Sequence, residues 1–407
     1  MKDSNSFKIK AIAGGVTSAS GFIAGGVKAG IKVTGKKDLA LLYSEKPCSA
    51  AGTFTTNAIR ASSVDWCQNH LPSKGIHAIM CNSGCANACT GDQGVKDTAT
   101  MALLAAENLN ISHDSVLVAS TGVIGKFLPV DKIKNTLPKL KKSLSSEKGG
   151  SEFATAIMTT DLKKKEAAVQ VTIGKQSYII GGCTKGSGMI HPNMATMLAF
   201  ITTDADITPV NLDKIVKRVV NQTFNNLTVD GDTSTNDMVH VLANGNSKSK
   251  ISTQAELAAF EEGLFTVCND LCKKIAADGE GATKRVEINV CGAASEDDAR
   301  RAAKAVANSN LTKCALFGND PNWGRIACAI GYSGAVFSKE KMNINLCGVP
   351  VFKNLQPVSF NEAKLHNLLK SKVVTIDIDL GTGKASAIAH TCDFSYDYVK
   401  INAEYHT

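Results

Sequence analysis

At 407 residues the chain exceeds the usual single domain and can bury one large core or two modules that share one. A hydrophobic content of 43% and a charged content of 20% are those of an ordinary folded protein, which argues against disorder. The net charge of +8 is mild at this length, and no dense Lys/Arg block interleaved with aromatics occurs, which sets nucleic-acid binding aside while leaving room for anionic small substrates. The polar start, Met1-Lys-Asp-Ser-Asn-Ser-Phe7, lacks the apolar core of a signal peptide, and no run nears the ~18 apolar residues of a membrane span. The 13 cysteines are odd in number and scattered singly, as in Val290-Cys291 and Leu346-Cys347. They read as buried free thiols, and a cytoplasmic location is expected. Cys81, Cys85 and Cys89 stand four apart without a neighbouring His or a Cys-x-x-Cys pair, so no metal is expected there.

In chain order, residues 1–35 are glycine-rich but lack the Gly-Lys-Ser/Thr ending of a phosphate cradle. Asp38–Leu42 and Ala51–Thr56 read as strands, Ser62–Cys67 leads towards a helix, and Ile76–Gly84 reads as a strand running into a loop. Val95–Glu107 has helical spacing and strong helix formers. Ser115–Lys126 is a strand ending in Thr121-Gly122. Its Gly-x-x-Gly-Lys is no phosphate loop, because Ser120 stands where the first glycine belongs and Phe127 replaces the Ser/Thr. Such a Thr-Gly turn does offer a hydroxyl and backbone N–H groups with no Cβ in the way, which is what the oxyanion of an acyl-transfer intermediate needs. A helix begins at Pro129, Lys141–Ser151 is the most linker-like stretch, and Lys163-Lys164-Lys165 reads as a solvated turn. Val169–Ile173 and Ser177–Gly182 form a hairpin over Gly174-Lys175.

Next comes Lys185-Gly-Ser-Gly-Met-Ile-His-Pro-Asn-Met-Ala-Thr196, which enters the apolar run Met197-Leu-Ala-Phe-Ile201. A threonine hydroxyl is a poor nucleophile without a base beside it. Thr196 could obtain one as its own α-amine, but only if the Ala195-Thr196 bond is cut; an α-amine with a reference pKa near about 7.7 suits that task better than His191. Beyond it, a helix spans Thr208 to Phe224. Leu227-Thr-Val-Asp230-Gly-Asp232-Thr-Ser234 by itself suggests an aspartyl phosphatase with Mg²⁺, although Ser234 stands where those enzymes carry Thr or Val. Thr253-Gln-Ala-Glu256 is a capping box opening a helix to about Ala277. Val286–Val290 is a strand, Ser295 caps a helix to Asn308, and Asn343–Leu346, Lys372–Leu380 and Ala385–Cys392 alternate as half-buried antiparallel strands should.

The unbroken run Gly188-Met-Ile-His-Pro-Asn-Met-Ala-Thr-Met-Leu-Ala199 resembles the self-cleavage signature of the ornithine acetyltransferase (glutamate N-acetyltransferase) family of arginine biosynthesis. Further blocks resemble the same family: the opening Gly14-Gly-Val-Thr17 with Gly21-Phe22, where Ser18-Ala-Ser20 departs from the pattern; Asp230-Gly-Asp-Thr-Ser-Thr-Asn-Asp237; Asp278-Gly-Glu-Gly-Ala-Thr283; Cys314-Ala-Leu-Phe-Gly-Asn-Asp320-Pro-Asn-Trp-Gly-Arg325; and the end Asp397–Thr407. The resemblance implies an α/β fold, a helix-sheet-sheet-helix sandwich of the N-terminal-nucleophile-like DmpA/ornithine acetyltransferase type. The chain would be self-cleaved into fragments 1–195 and 196–407, assembled as a heterotetramer of two of each.

The same resemblance implies roles for particular residues. Thr196 is the nucleophile and new N-terminus, Ala195-Thr196 the cleaved bond, and Thr121 with Gly122 the oxyanion hole. Thr159, Lys185, Thr196, Glu280, Asn402 and Thr407 bind substrate. Asp320 and Arg325 are expected as a structural ion pair. The implied reaction moves the acetyl group of N²-acetyl-L-ornithine to L-glutamate by way of acetyl-Thr196, with no metal or organic cofactor and with acetyl-CoA as an additional donor in some members. The rival readings are a related N-terminal-nucleophile amidase or aminopeptidase that releases the acyl group to water, the Mg²⁺ phosphatase, and a noncatalytic binding protein.

Overall fold

The computed structural model describes residues 6–191 and 197–404. Strands β1 (Phe7–Ile12), β2 (Phe22–Val27) and β3 (Leu39–Phe54) precede α1 (Ser62–His70), β4 (Ser73–Cys85), α2 (Gly91–Leu109), β5 (Val116–Val123), α3 (Val130–Lys142) and α4 (Gly149–Ala156). The hairpin β6 (Lys165–Ile173) and β7 (Gln176–Lys185) leads to β8 (Leu198–Thr203), β9 (Asp206–Ile207), α5 (Pro209–Gln222), β10 (Met238–Ala243), β11 (Lys250–Ile251) and the long α6 (Gln254–Ala277). The remainder comprises β12 (Arg285–Ala293), α7 (Glu296–Asn308), α8 (Asn310–Phe317), α9 (Trp323–Gly331), β13 (Asn343–Leu346), β14 (Val349–Lys353), β15 (Gln356–Pro357), α10 (Glu362–Leu369), β16 (Val373–Asp379), β17 (Ala385–Cys392) and α11 (Tyr396–Ala403).

Strand β3 gives the architecture its shape. The two strands expected at residues 38–42 and 51–56 are one: its first half pairs antiparallel with β2 and β4, its second with β10, and the register shifts between Tyr43 and Cys48, where Pro47 lacks a ladder N–H. The order β1-β6-β7-β8-β10-β3-β4-β5 therefore doubles over at β3. One apolar layer joins Leu42, Ile79 and Leu117 of one half to Cys183, Phe200 and Leu242 of the other. The outer face of β6, β7, β8 and β10 packs on α5 and α6 through residues such as Ile180, Ile201, Val216 and Leu264. The outer face of β3, β4 and β5 packs on α2 and α3 through Leu41, Met80, Met101 and Ile133. The result is the helix-sheet-sheet-helix sandwich that the resemblance implies. Leu198–Thr203 is buried at every position because both faces of β8 meet apolar layers, which removes the alternation a half-exposed strand would show.

Strands from both sides of residue 195 share this sheet, since β8 lies between β7 and β10. A second sheet, β15-β14-β13-β16-β12-β17, has its own core against α7, α9 and α10. Helix α6 starts at the expected capping box, with the Thr253 side chain accepting from the Glu256 N–H and the Glu256 carboxylate returning to Thr253.

Several expectations are corrected. The stretch 141–151 is no linker: Gly149 and Gly150 open α4 and are buried against Ala24 and Thr17. Strand β16 pairs parallel with β12, not antiparallel, although its pairing with β13 and that of β12 with β17 are antiparallel. All 13 cysteines are free, but Cys291, Cys314 and Cys328 are exposed and Cys347 is half-buried, against the expectation of buried thiols. Cys81 and Cys85 are buried while Cys89 is exposed. No helix among the described residues is long and apolar enough to cross a membrane.

A Cβ at Gly149 would fall inside the Ala24 carbonyl. Gly149→Ala is expected to lower the unfolding free energy by about 1–3 kcal/mol through overpacking, read from chemical denaturation.

Candidate active site

A cavity of ≈ 150 Å³ opens at the edge of the sandwich where β5, β7, β8 and the approach to β10 converge. Thr121, Gly122, Thr159, Lys185, Glu280 and Asn402 all line it. Ala195, Thr196 and Thr407 lie outside the described residues, but Met197, which follows Thr196 in the chain, lines the same cavity.

The Thr-Gly turn is held by its neighbours. Gly122 lies opposite Gly84 in the parallel β4–β5 register, with φ at +133°, and a Cβ there would collide with the Gly84 backbone, so only glycine fits. Just before it, Ser120 Oγ donates to Asn82 Oδ1 at 2.7 Å, and the Ser120 carbonyl accepts from Asn236 Nδ2 at 2.8 Å. A turn fixed on both sides presents its donors with little reorganisation.

Lys165 is not in a solvated turn. It is 1% exposed, and its ammonium stands 2.6 Å from Asp161 Oδ1 and 2.6 Å from Asp278 Oδ2. Each carboxylate also collects main-chain N–H groups. Asp161 accepts from Thr159 at 3.0 Å and from Gly186 at 2.7 Å; Asp278 accepts from Leu162 at 3.1 Å and Lys163 at 3.2 Å. Burial disfavours charge on Asp161, yet Lys165 and then Lys185 hold its carboxyl down at about 2. The zipper continues as Ser187 Oγ donates to the Asp278 carbonyl at 2.5 Å and the Glu280 N–H donates to the Ser187 carbonyl at 2.9 Å. Thr159, Lys185 and Glu280 are thus placed by one ion cluster.

On the far wall Asn402 Nδ2 donates to Glu280 Oε2 at 2.8 Å and to the Tyr398 carbonyl at 3.0 Å. The Glu280 carboxylate packs on Gly188, where any side chain would collide with it. The cavity therefore carries a cation, Lys185, and an anion, Glu280, a pairing suited to a small molecule with both a carboxylate and an ammonium group.

Other candidates sit elsewhere. His191 is outside the cavity lining, and its Nδ1 accepts from Asn308 Nδ2 at 3.2 Å. Burial, helped by Lys304, lowers its pKa to about 4. Asp230 clamps the loop at Met189-Ile190, accepting from the N–H groups of Met189 at 2.6 Å and Ile190 at 2.8 Å, so the first aspartate of the Asp-x-Asp motif is spent on backbone. The expected Asp320–Arg325 pair does not form among the described residues: Arg325 Nη1 donates to the Leu311 carbonyl at 2.7 Å, and Asp320 accepts from Asn322 Nδ2 at 3.1 Å. Among the described residues no cluster of three or more His, Cys, Asp or Glu side chains is arranged to hold a metal ion.

Sequence reasoning passed over Asp161, Lys165, Asp278, Asn236 and Asp237. The adjacency of Asp161 to Thr159-Thr160, and of Asn236-Asp237 to the apolar β10, were the only local signals.

A family model described as the ArgJ family matches residues 23–407. The chain is 48% identical over 400 residues to the arginine biosynthesis bifunctional protein ArgJ of Symbiobacterium thermophilum, covering 97% of this chain and 99% of that one. It is 46% identical over 411 residues to the chloroplastic protein of that name from Sorghum bicolor, covering 98% and 88%. A crystal structure of the arginine biosynthesis bifunctional protein argJ from Bacillus halodurans matches with a TM-score of 0.50 and 44% identity, over 52% of this chain and 100% of that chain.

The ion cluster sets an acid limit. A folded Asp161 at about 2, against 3.8 for the free group, means that the unfolded chain takes up the proton first as pH falls. The stability it contributes is whole above pH ~4 and is lost towards pH ~2, a slope that Asp161→Asn should remove from unfolding curves. Lys165→Met, which leaves two buried carboxylates without their cation, is expected to cost about 3–5 kcal/mol in denaturant unfolding.

Proposed function

The chain belongs to the ArgJ family, and from that premise we propose that it is an acetyltransferase of arginine biosynthesis that moves the acetyl group of N²-acetyl-L-ornithine to L-glutamate. The observation that carries this reading is the gathering of Thr121, Gly122, Thr159, Lys185, Glu280 and Asn402, drawn from distant parts of the sequence, around one cavity that also includes Met197.

The enzyme first processes itself. The Thr196 hydroxyl attacks the Ala195 carbonyl, the resulting ester is hydrolysed, and Thr196 is left with a free α-amine that serves as its base. The fragments 1–195 and 196–407 stay together through the β7–β8 ladder, in which Lys185 pairs with Leu198. The Bacillus halodurans comparison supports a divided chain: the whole of that solved chain corresponds to 52% of this one, and residues 196–407 are 212 of 407, the same share.

In the first half-reaction the Thr196 oxygen attacks the acetyl carbonyl while Thr121 and Gly122 donate to the developing oxyanion. Lys185 attracts the substrate carboxylate, the Glu280 carboxylate takes the δ-ammonium of ornithine, and Thr159, Asn402 and Thr407 supply further polar contacts. The α-amine passes the hydroxyl proton to the departing ornithine nitrogen. Glutamate then enters, its amine attacks acetyl-Thr196, and N-acetyl-L-glutamate leaves with the threonine restored. Acetyl-CoA is carried on this reading as a further donor only because some members of the resembled family use it. The working form is a cytoplasmic heterotetramer of two copies of each fragment, with no metal or organic cofactor.

A denaturing gel with terminal sequencing, paired with an acetyl-transfer assay, tests the proposal. Wild-type protein should give two bands, one starting at Thr196, with parallel initial-velocity lines for the two substrates; Thr196→Ala should give one inactive band. An uncut wild-type chain that transfers acetyl groups at full rate contradicts the reading. His191→Gln should keep kcat within about threefold, where loss of a general base would cost about 10²–10⁴-fold.

A further inference from the structure

The stretch Ser234-Thr-Asn-Asp237 precedes β10 and lines the cavity at all four positions. Its main chain is tied down, because the Asp237 carbonyl accepts from the Thr55 N–H at 3.0 Å and the Thr235 carbonyl from the Ala61 N–H at 2.9 Å. From this fixed base, two consecutive side chains reach to opposite sides of the site.

Asn236, 4% exposed, gives one donor hydrogen to the Ser120 carbonyl at 2.8 Å, on the approach to the oxyanion turn, and the other to the Ala86 carbonyl at 2.7 Å, just past β4. Its Oδ1 accepts from Thr235 Oγ1 at 2.5 Å, which fixes the amide's orientation. Asp237, 2% exposed, lies against the other side. The Met197 N–H turns towards its carboxyl together with the Ser234 hydroxyl and N–H, and the Met197 carbonyl accepts from the Met238 N–H at 2.9 Å. Asp237 Oδ2 has no hydrogen-bond partner among the described residues. A buried carboxyl oxygen left in that state costs about 1–3 kcal/mol, a burden retained most readily where the group has a task. Burial pushes this carboxyl well above the usual carboxylate range, against the pull of Ser234 and Lys185. The charged groups that share its cavity are Lys185 on β7 and Glu280 after α6.

Resting on the acetyl-transfer reading, we infer that Asn236 and Asp237 are positioning residues that set the separation between oxyanion hole and nucleophile. Asn236 holds the carbonyl of Ser120, the residue before Thr121, while Asp237 and Met238 hold the main chain of Met197, the residue after Thr196. The Thr121-Gly122 turn belongs to β5 and Met197 leads into β8, and this tetrapeptide spans the two strands.

The test uses the full-length chain carrying Asn236→Ala, Asp237→Ala, Asp237→Glu or Asp237→Asn, with thermal melting as the check on folding. Three quantities are read: the half-time of precursor cleavage, kcat, and KM for acetylornithine. Misplacement by about 1 Å should slow cleavage and lower kcat by about 100-fold in the Ala and Glu variants, with KM changed less than about threefold. Asp237→Asn, which keeps the side chain's shape and one acceptor oxygen, should recover kcat to within about fivefold of wild type. Folded Ala and Glu variants with wild-type kcat and cleavage overturn the inference, and so does an Asp237→Asn variant as slow as Asp237→Glu. If wild type cleaves but transfers no acetyl group, the acetyl-transfer reading fails, and slowed cleavage in the Asp237 variants still supports the positioning role.

Discussion

A buried ammonium between two buried carboxylates fixes the rest of the site. Lys165 has Asp161 on one side and Asp278 on the other, each at 2.6 Å, with almost no solvent to share the charge. An isolated charge in that position would be prohibitively costly, so the three segments bearing these groups can come together in few other ways. Because the same carboxylates bind the main chain at Thr159, Gly186, Leu162 and Lys163, the electrostatic requirement becomes a geometric one. It brings the Thr159 loop, the end of β7 and the loop after α6 to one point, and those are the segments that carry Thr159, Lys185 and Glu280 to the cavity.

The doubled sheet supplies the other half of the arrangement. Sandwiched between β7 and β10, strand β8 is anchored along its whole length and buried on both faces, so the point where the chain enters it at Met197 is well fixed. Strands β4 and β5 end side by side on the opposing layer, where Gly84 and Gly122 approach too closely for side chains. A chain cut just before β8 would keep its ladders on both sides, which lets a covalent break be compatible with a stable fold. Function on this reading depends on rigid strands from two layers meeting at one edge, with Asn236 and Asp237 between them.

Local chemistry made much of the secondary structure legible. The Thr253–Glu256 capping box, the Gly174-Lys175 hairpin and the helix-forming run in α2 each depend on residues close in sequence, and each stands where expected. What escaped depends on distant partners. Lys165 reads as one of three solvated lysines until Asp278, more than a hundred residues on, is brought beside it. Gly149 and Gly150 read as linker residues until Ala24 and Thr17 are seen to occupy the space a side chain would need. Alternation in β16 reports one buried face but not the direction of its neighbour, so the parallel pairing with β12 was invisible. The candidate site was legible only through long family-like runs; no spacing rule would have linked Thr121, Lys185, Glu280 and Asn402.

The central claim is that a threonine freed at its own amine carries the acetyl group between two substrates. Incubation with N²-acetyl-L-ornithine in the absence of glutamate, acid quenching and peptide mass spectrometry test it most directly. The account predicts one added acetyl group, confined to a peptide that begins at Thr196 and lost when glutamate is supplied. An acetyl group found on any other residue, or turnover with no acetylated enzyme in the quenched sample, would contradict it.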